Sequence, residues 1–532
     1  MLGILPFVIL LTISLLVLVL GRFRSRLGLI WIVSAGIVYF NWVGVILMHL
    51  SLPKAFVISN WLPGQISTDA IRFVFTPGSW VLAIFWLALL VCVVFADASG
   101  LEDPNSSLLL SGSLVLSAVT LLSLTSSSLL AFLLTWSLVD LIEFVILSRL
   151  ISDTELIRKT IISFAFRITG TLFVIAALAV SKQTTQAFEL SSASGTVYSL
   201  ILLGVGFRLG VLPLQLPFTP SESIRRSMGT LLRLAAPVSA FALLIQLPAA
   251  QNMNGILLFV AVLATLEAVY GALMWATSVN ELAGRQYWSL SLAGLAMLAA
   301  LKGQTSVVLA CAGILISVGG FMFVQSVRER KYLIPFILLM VGMIGLPFTP
   351  FAGLWGFSGG TTWTFTRLVQ LVSMAILTYG TYRLYEKKEQ KESPGQNWIS
   401  FFATAGLVIL AVTPWVTLIW ATGLLQLNPG WWYSLIMLGI IGAGIVLRTF
   451  FMRRLKKSDR VVQFIRDVAA IGARSLRSFF RFDWFYSLFG WIFHQFQLLI
   501  QFFEGVMEGE GGILWALVFL ALLASVLASA GN

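Results

Sequence analysis

The chain has 532 residues, 58% of them hydrophobic and 11% charged, with a formal net charge of +12. Soluble domains carry about 25% charged residues, so this composition excludes an ordinary soluble enzyme and describes a polytopic, all-α membrane protein. The surplus Lys and Arg lie in short loops between apolar runs, which is a topology signal and not a nucleic-acid-binding surface.

A hydrocarbon core about 30 Å thick takes about 20 apolar residues per helical crossing. That ruler gives roughly sixteen spans, near 2–20, 28–49, 78–96, 107–125, 128–148, 160–181, 196–218, 228–249, 254–277, 286–301, 304–325, 332–350, 361–385, 399–422, 430–450 and 512–529. The first run, Leu2 to Leu20, lacks a basic n-region and a small-residue cleavage site, so it reads as a retained span. Residues 52–76 place Pro63-Gly64 between short alternating segments and read as an outer-face hairpin. Residues 451–511 mix Arg466, Arg474, Arg477 and Arg481 with Phe479, Phe480, Trp484, Phe485, Trp491, Phe493 and Phe496. Basic and aromatic residues at helical spacing describe a lateral segment in the membrane interface. A cytosolic helical domain with an aromatic core is the alternative.

Alternate loops carry Arg22, Arg24 and Arg26; Arg149, Arg158 and Lys159; Arg225 and Arg226; Arg285; Arg328, Arg330 and Lys331; Arg383, Lys387, Lys388 and Lys391; and Arg453 to Arg460. The opposite set has only Lys54, Arg72, Lys182 and Lys302. The basic set is therefore expected in the cytoplasm and both termini outside, in the cell (inner or plasma) membrane. Cys92 and Cys311 lie inside apolar runs, and His49 and His494 are far apart. No disulfide framework, metal site or cofactor-attachment motif is expected.

A charge at mid-membrane costs at least about 2.5–3.5 kcal/mol and marks a functional hypothesis. Asp140 and Glu143, Arg167, Arg208, Arg233, Glu267 and Arg367 all fall inside spans. Asp140 and Glu143 are three apart and share a helix face. Arg167 with Glu267 fits a static ion pair between helices, and Arg167 and Arg367 are the structural ion-pair candidates; Asp140, Glu143, Arg208, Arg233 and Glu267 are the expected proton or ion path. Asp140 with Arg208 suggests more, because "FRLGVLPLQLPFTP" breaks the seventh span at Pro213 and Pro217. A proline frees a carbonyl, tolerated in lipid only where protein or water satisfies it. Pro347 and Pro350 in "GLPFTPFAGLWGF" repeat the pattern five spans later. The expected organisation is N-terminal helices over 1–125, a first broken-helix repeat over 126–277, a second over 278–425, a penultimate helix over 426–450, the lateral segment 451–511 and a terminal helix over 512–532.

These segments resemble the antiporter-like, proton-translocating membrane subunits of respiratory complex I and of multisubunit cation/proton antiporters. "WSLVDLIEF" (136–144) is similar to the fifth-helix Trp-Glu segment, and Arg208, five residues before Pro213, stands where the family has a lysine. "LLRLAAPVSAF" (231–241), "YWSLSLAGLAML" (287–298) and "GLPFTPFAGLWGF" are similar to the eighth, tenth and broken twelfth helices. The long lateral segment before one last helix looks like the distal subunit.

The resemblance implies proton movement through buried charges, no cofactor of the chain's own, and partners among other membrane subunits and the lipid bilayer. Several positions depart from the family. Ser137 stands at the helix-five glutamate, with Asp140 one turn on, and Leu282 replaces a loop lysine. Residues 304–325 carry no charge, and no lysine follows Gly353. Arginine stays protonated where a desolvated lysine need not, so Arg208 is expected to act as a fixed charge that lysine could replace. Three readings are open: a proton- or cation-conducting subunit, a non-conducting structural subunit, and an independent secondary transporter.

Overall fold

In a computed structural model, the described residues are 3–21, 27–58, 71–100, 106–151, 153–181, 195–211, 225–324, 329–356, 365–386, 397–420 and 430–454, with a few isolated positions. They contain fifteen α-helices: α1 (Leu5–Leu20), α2 (Leu27–Leu47), α3 (Pro77–Ala96), α4 (Ser106–Leu124), α5 (Leu129–Leu150), α6 (Thr154–Ser181), α7 (Gly195–Leu209), α8 (Arg226–Leu244), α9 (Gly255–Thr277), α10 (Glu281–Leu301), α11 (Thr305–Val324), α12 (Leu333–Ile344), α13 (Phe365–Glu386), α14 (Asn397–Trp420) and α15 (Trp432–Arg454). Each falls on one of the first fifteen expected spans. Beyond Arg454, the lateral segment and the terminal helix lie outside the described residues, as do Pro213 and Pro217. The chain forms two compact units, 1–453 and 454–532. Helices α1 to α14, and α15 up to its last residue, belong to the first.

Nine of the described helices are long and apolar enough to cross a bilayer. The protein is multi-pass. Two helices are buried on every side, α3 from Ser79 to Phe95 and α11 over most of its length. A helix apolar all round belongs in the centre of a bundle. On α1, α2 and α9 one face keeps exposed Leu, Ile, Val and Phe, as expected of a surface in contact with lipid.

Local sequence sets the boundaries. Thr76 caps α3 through a reciprocal bond with Ser79, with Pro77 at the first turn, where its missing N–H costs nothing. Ser128, Asn254 and Asn280 cap α5, α9 and α10 through their side-chain oxygens. Within residues 52–76, β1 (Lys54–Ile58) pairs antiparallel with β2 (Ile71–Phe75), with Lys54 opposite Phe75. The chain between them lies outside the described residues.

α7 ends at Leu209, where Gly210 (φ 81°) takes the left-handed conformation that ends helices; residues 212–224, the rest of that expected span, lie outside the described residues. α12 stops at Ile344 and not at 350, where Gly345 (φ 70°) does the same. Pro347, Phe348 (φ 62°) and Pro350 then carry the chain through irregular backbone into a 3-10 turn over Ala352–Trp355. A non-glycine residue in that region is strained. Trp355 Nε1 donates to the Ile344 carbonyl at 3.0 Å and Gln370 Nε2 to the Leu354 carbonyl at 2.7 Å, so protein groups satisfy the freed backbone.

Close packing of α9 on α10 depends on small residues. A Cβ at Gly294 would meet the Ala264 carbonyl at 2.5 Å, and one at Gly271 the Tyr287 carbonyl at 2.6 Å. Gly294→Ala is therefore expected to force the helices apart at a cost of about 1–3 kcal/mol. Thermal unfolding of the purified protein checks this; an unchanged midpoint would mean that the two backbones are not in contact there.

Candidate functional site: a buried charge cluster

The middle of α5 presents Asp140 and Glu143 to one side, both about 2% exposed. Arg167 comes from the middle of α6 and Arg208 from the last turn of α7, at 4% and 2% exposure. Glu143 takes two bonds from Arg167, Nη1 to Oε2 at 2.5 Å and Nη2 to Oε1 at 3.0 Å. Arg208 Nη1 donates to Asp140 Oδ2 at 2.7 Å. Arg167 Nη1 also lies 3.4 Å from Asp140 Oδ1. Two acids and two arginines form one closed, charge-balanced group. A buried ion in low dielectric is tolerated only when paired and hydrogen-bonded, and here each has an opposite partner.

Two further side chains seat Arg208. Its Nε donates to Ser239 Oγ on α8 at 3.0 Å, and its guanidinium lies 4.6 Å from the centre of the Trp136 ring. Trp136 Nε1 points to the Ser239 carbonyl at 3.4 Å. Pro237, inside α8, lies two residues before that serine. Sequence reasoning misses Trp136, Ser239 and Pro237 as parts of the site. The available signal is the pairing of a mid-helix proline with a nearby hydroxyl. Because Arg208 bonds in two directions and stacks on a ring, lysine is not its equivalent.

The other candidates divide. Arg233 on α8 is half-buried and feels the charges of Arg285, Glu143 and Arg167. Arg226, two turns earlier on α8, pairs with Glu281 at 2.8 Å. Arg167 meets Glu143 and Asp140 and not Glu267. Glu267 on α9 stands apart, 2% exposed, and its Oε2 has no hydrogen-bond partner among the described residues. Arg367 on α13 rests against Tyr433, 6.0 Å from its ring and 3.5 Å from its hydroxyl. Pro347 and Pro350 lie one helix away, in the break after α12. Among the described residues, no group of His, Cys, Asp and Glu is spaced to hold a metal ion.

Solved structures share this arrangement of helices. A chain of the Mrp complex from Dietzia superposes with a TM-score of 0.63 at 14% identity, covering 99% of this chain and 63% of its own length. A chain of an archaeal respiratory complex, the membrane-bound sulfane sulfur reductase, gives 0.66 at 14% identity, with 98% and 99% coverage. A chain of respiratory complex I from Thermus thermophilus gives 0.57 at 18% identity, with 77% and 96% coverage. This chain has the fold of membrane-complex subunits. At these identities the likeness is one of fold. No protein-family model matches the sequence, and no curated protein matches it. The present chain spans about 63% of the matched Mrp chain and nearly all of the sulfane sulfur reductase chain.

Proposed function

We propose that this chain is a membrane subunit of a complex-I-like or antiporter-like assembly, and that it moves protons through its buried charges. The observation that carries the reading is the Asp140–Arg208 pair, buried between α5 and α7 two residues before the chain leaves helical geometry at Gly210. Charges beside interrupted membrane helices favour ion pathways. The assembly would sit in the cell membrane, with both termini outside, and its partners would be other membrane subunits and lipid.

Arginine keeps its proton, so Arg167 and Arg208 serve as fixed cations and the carboxyls carry the proton. Asp140 is the better placed of the two. Glu143 has both oxygens occupied by Arg167, whereas Asp140 Oδ1 has no hydrogen-bond partner among the described residues and only the longer 3.4 Å approach of Arg167. A proton arriving at Oδ1 neutralises Asp140 and leaves a net positive charge on the group. That charge repels the next cation, Arg233.

A second reading is favoured by the closure of the same cluster. Two permanent cations holding two acids make a good static brace, and the chain would then hold an assembly together without conducting. Asp140→Asn separates the two. Proton flux through the reconstituted assembly is expected to fall to background while its subunit composition stays intact. Unchanged flux would take Asp140 out of the path and leave the brace.

A further inference from the structure

Several helix ends meet at the face expected in the cytoplasm. α1 ends at Leu20, α2 begins at Leu27, α3 ends at Ala96, α4 begins at Ser106 and α8 begins at Arg226. Between them lies a small cavity of about 10 Å³, the space of about one water molecule. Val17, Trp31 and Leu110 form its apolar side, and Asp97, Ser106 and Arg225 its polar side.

Close packing holds the cavity to that size. A Cβ at Gly21 would meet Ser107 Cβ at 2.5 Å, so the end of α1 sits directly on the start of α4. Trp31 Nε1 donates to the Val94 carbonyl at 2.9 Å and ties α2 to the last turn of α3. Its ring meets Phe402 of α14 edge to face, with centres 5.2 Å apart.

The polar side carries one charge of each sign. Asp97 is 6% exposed, and Ser227 of α8 donates to its Oδ1. Arg225 donates to the Gly100 carbonyl, and its guanidinium acts electrostatically on Asp97. This pairing decides what chemistry the cavity accepts. Basic pockets at this face of a membrane protein take anionic headgroups, but Asp97 repels a bare anion. Arg225 repels a bare cation in the same way. A zwitterion with its two charges a few bonds apart satisfies both.

The surroundings supply such a molecule. Leu18 and Val19 follow Val17 on α1, Leu29 and Ile32 flank Trp31 on α2, and Leu108 lies beside Ser107 on α4; all five are exposed. These apolar faces border the cavity at the helix ends, where phospholipid headgroups lie. We propose that this cavity is a binding site for a phospholipid with a primary-ammonium headgroup, of the phosphatidylethanolamine class. The ammonium enters beside Asp97, the phosphate rests on Arg225, and the acyl chains lie along α1 and α2. An ammonium group matches the water-sized space and offers three N–H donors. A trimethylammonium is bulkier and offers none, so phosphatidylcholine is disfavoured. None of the α5–α7 charges lines the cavity, so the site stands apart from the transport reading.

Native mass spectrometry of the purified protein tests this. The titrants are phosphatidylethanolamine, its N-methyl and N,N-dimethyl forms, and phosphatidylcholine, all with the same acyl chains. Affinity is expected to fall along the series, by roughly tenfold or more from first to last, the range set by one charge-assisted hydrogen bond. Asp97→Asn keeps an acceptor for Ser227 and removes the charge, and it is expected to bind the two end members alike. Arg225→Gln should weaken both and preserve the preference. Equal binding of the end members by wild type, or a preference that survives Asp97→Asn, overturns the proposal. Should Asp97→Asn fail to fold, the wild-type series and Arg225→Gln decide; undiminished binding by Arg225→Gln contradicts the phosphate contact. Free phosphoethanolamine at matched concentration is expected to leave the bound lipid in place. Displacement by it would make this a site for a soluble zwitterion and overturn the lipid assignment.

Discussion

Replacing Arg208 with alanine is expected to destabilise the protein more than any other single change in the charge cluster. Arg208 is 2% exposed and bonds Asp140 at 2.7 Å and Ser239 at 3.0 Å. Its removal leaves Asp140 with only the 3.4 Å approach of Arg167, and Arg167 is already committed to Glu143. Breaking a buried pair by deleting one partner costs about 3–5 kcal/mol. The loss of the stacking contact on Trp136 adds to it. Arg208→Lys keeps a cation near Asp140 but loses one of the two bond directions, so a smaller loss of about 1 kcal/mol is expected. Sequence alone makes lysine an acceptable replacement; the second bond to Ser239 revises that. Thermal unfolding in detergent ranks the three proteins. Equal midpoints for wild type and Arg208→Ala would mean that Asp140 does not depend on this arginine.

The second large effect is at the neighbouring pair. Glu143→Gln is expected to cost about 3–5 kcal/mol, because Arg167 loses the charge that holds both of its terminal nitrogens. The double substitution Glu143→Leu with Arg167→Met should recover most of that loss, since apolar residues of similar volume often replace a buried ion pair at little cost. Asp140 and Arg208 would remain paired in the double variant. A double variant worse than both single ones would show that the four charges act as one unit and not as two pairs.

The helix order is legible in the sequence because membrane crossings leave long apolar runs, and fifteen helices fall on the expected spans. The breaks are legible because proline leaves few backbone options, although Gly210 and Gly345 end their helices before the prolines do. Depth is legible too, since a charge within an apolar run marks its own position. Rotation about the helix axis is not. Sequence spacing cannot say that Arg167 turns toward Glu143 and leaves Glu267 to α9. Nor does it expose the support given by Trp136 and Ser239, which are neutral residues among many like them. The polar face of α13 is visible as Arg367, Gln370, Ser373, Thr378 and Thr381 at near-helical spacing. A search for charges passes over such a row, because hydroxyls cost little in a membrane helix.

Co-purification tests the central claim most directly. The protein would be extracted from its native membrane in mild detergent, sized, and analysed for what travels with it. The account predicts a large assembly that contains other multi-pass membrane subunits. A lone protein or a homo-oligomer would contradict the subunit reading and point to an independent transporter.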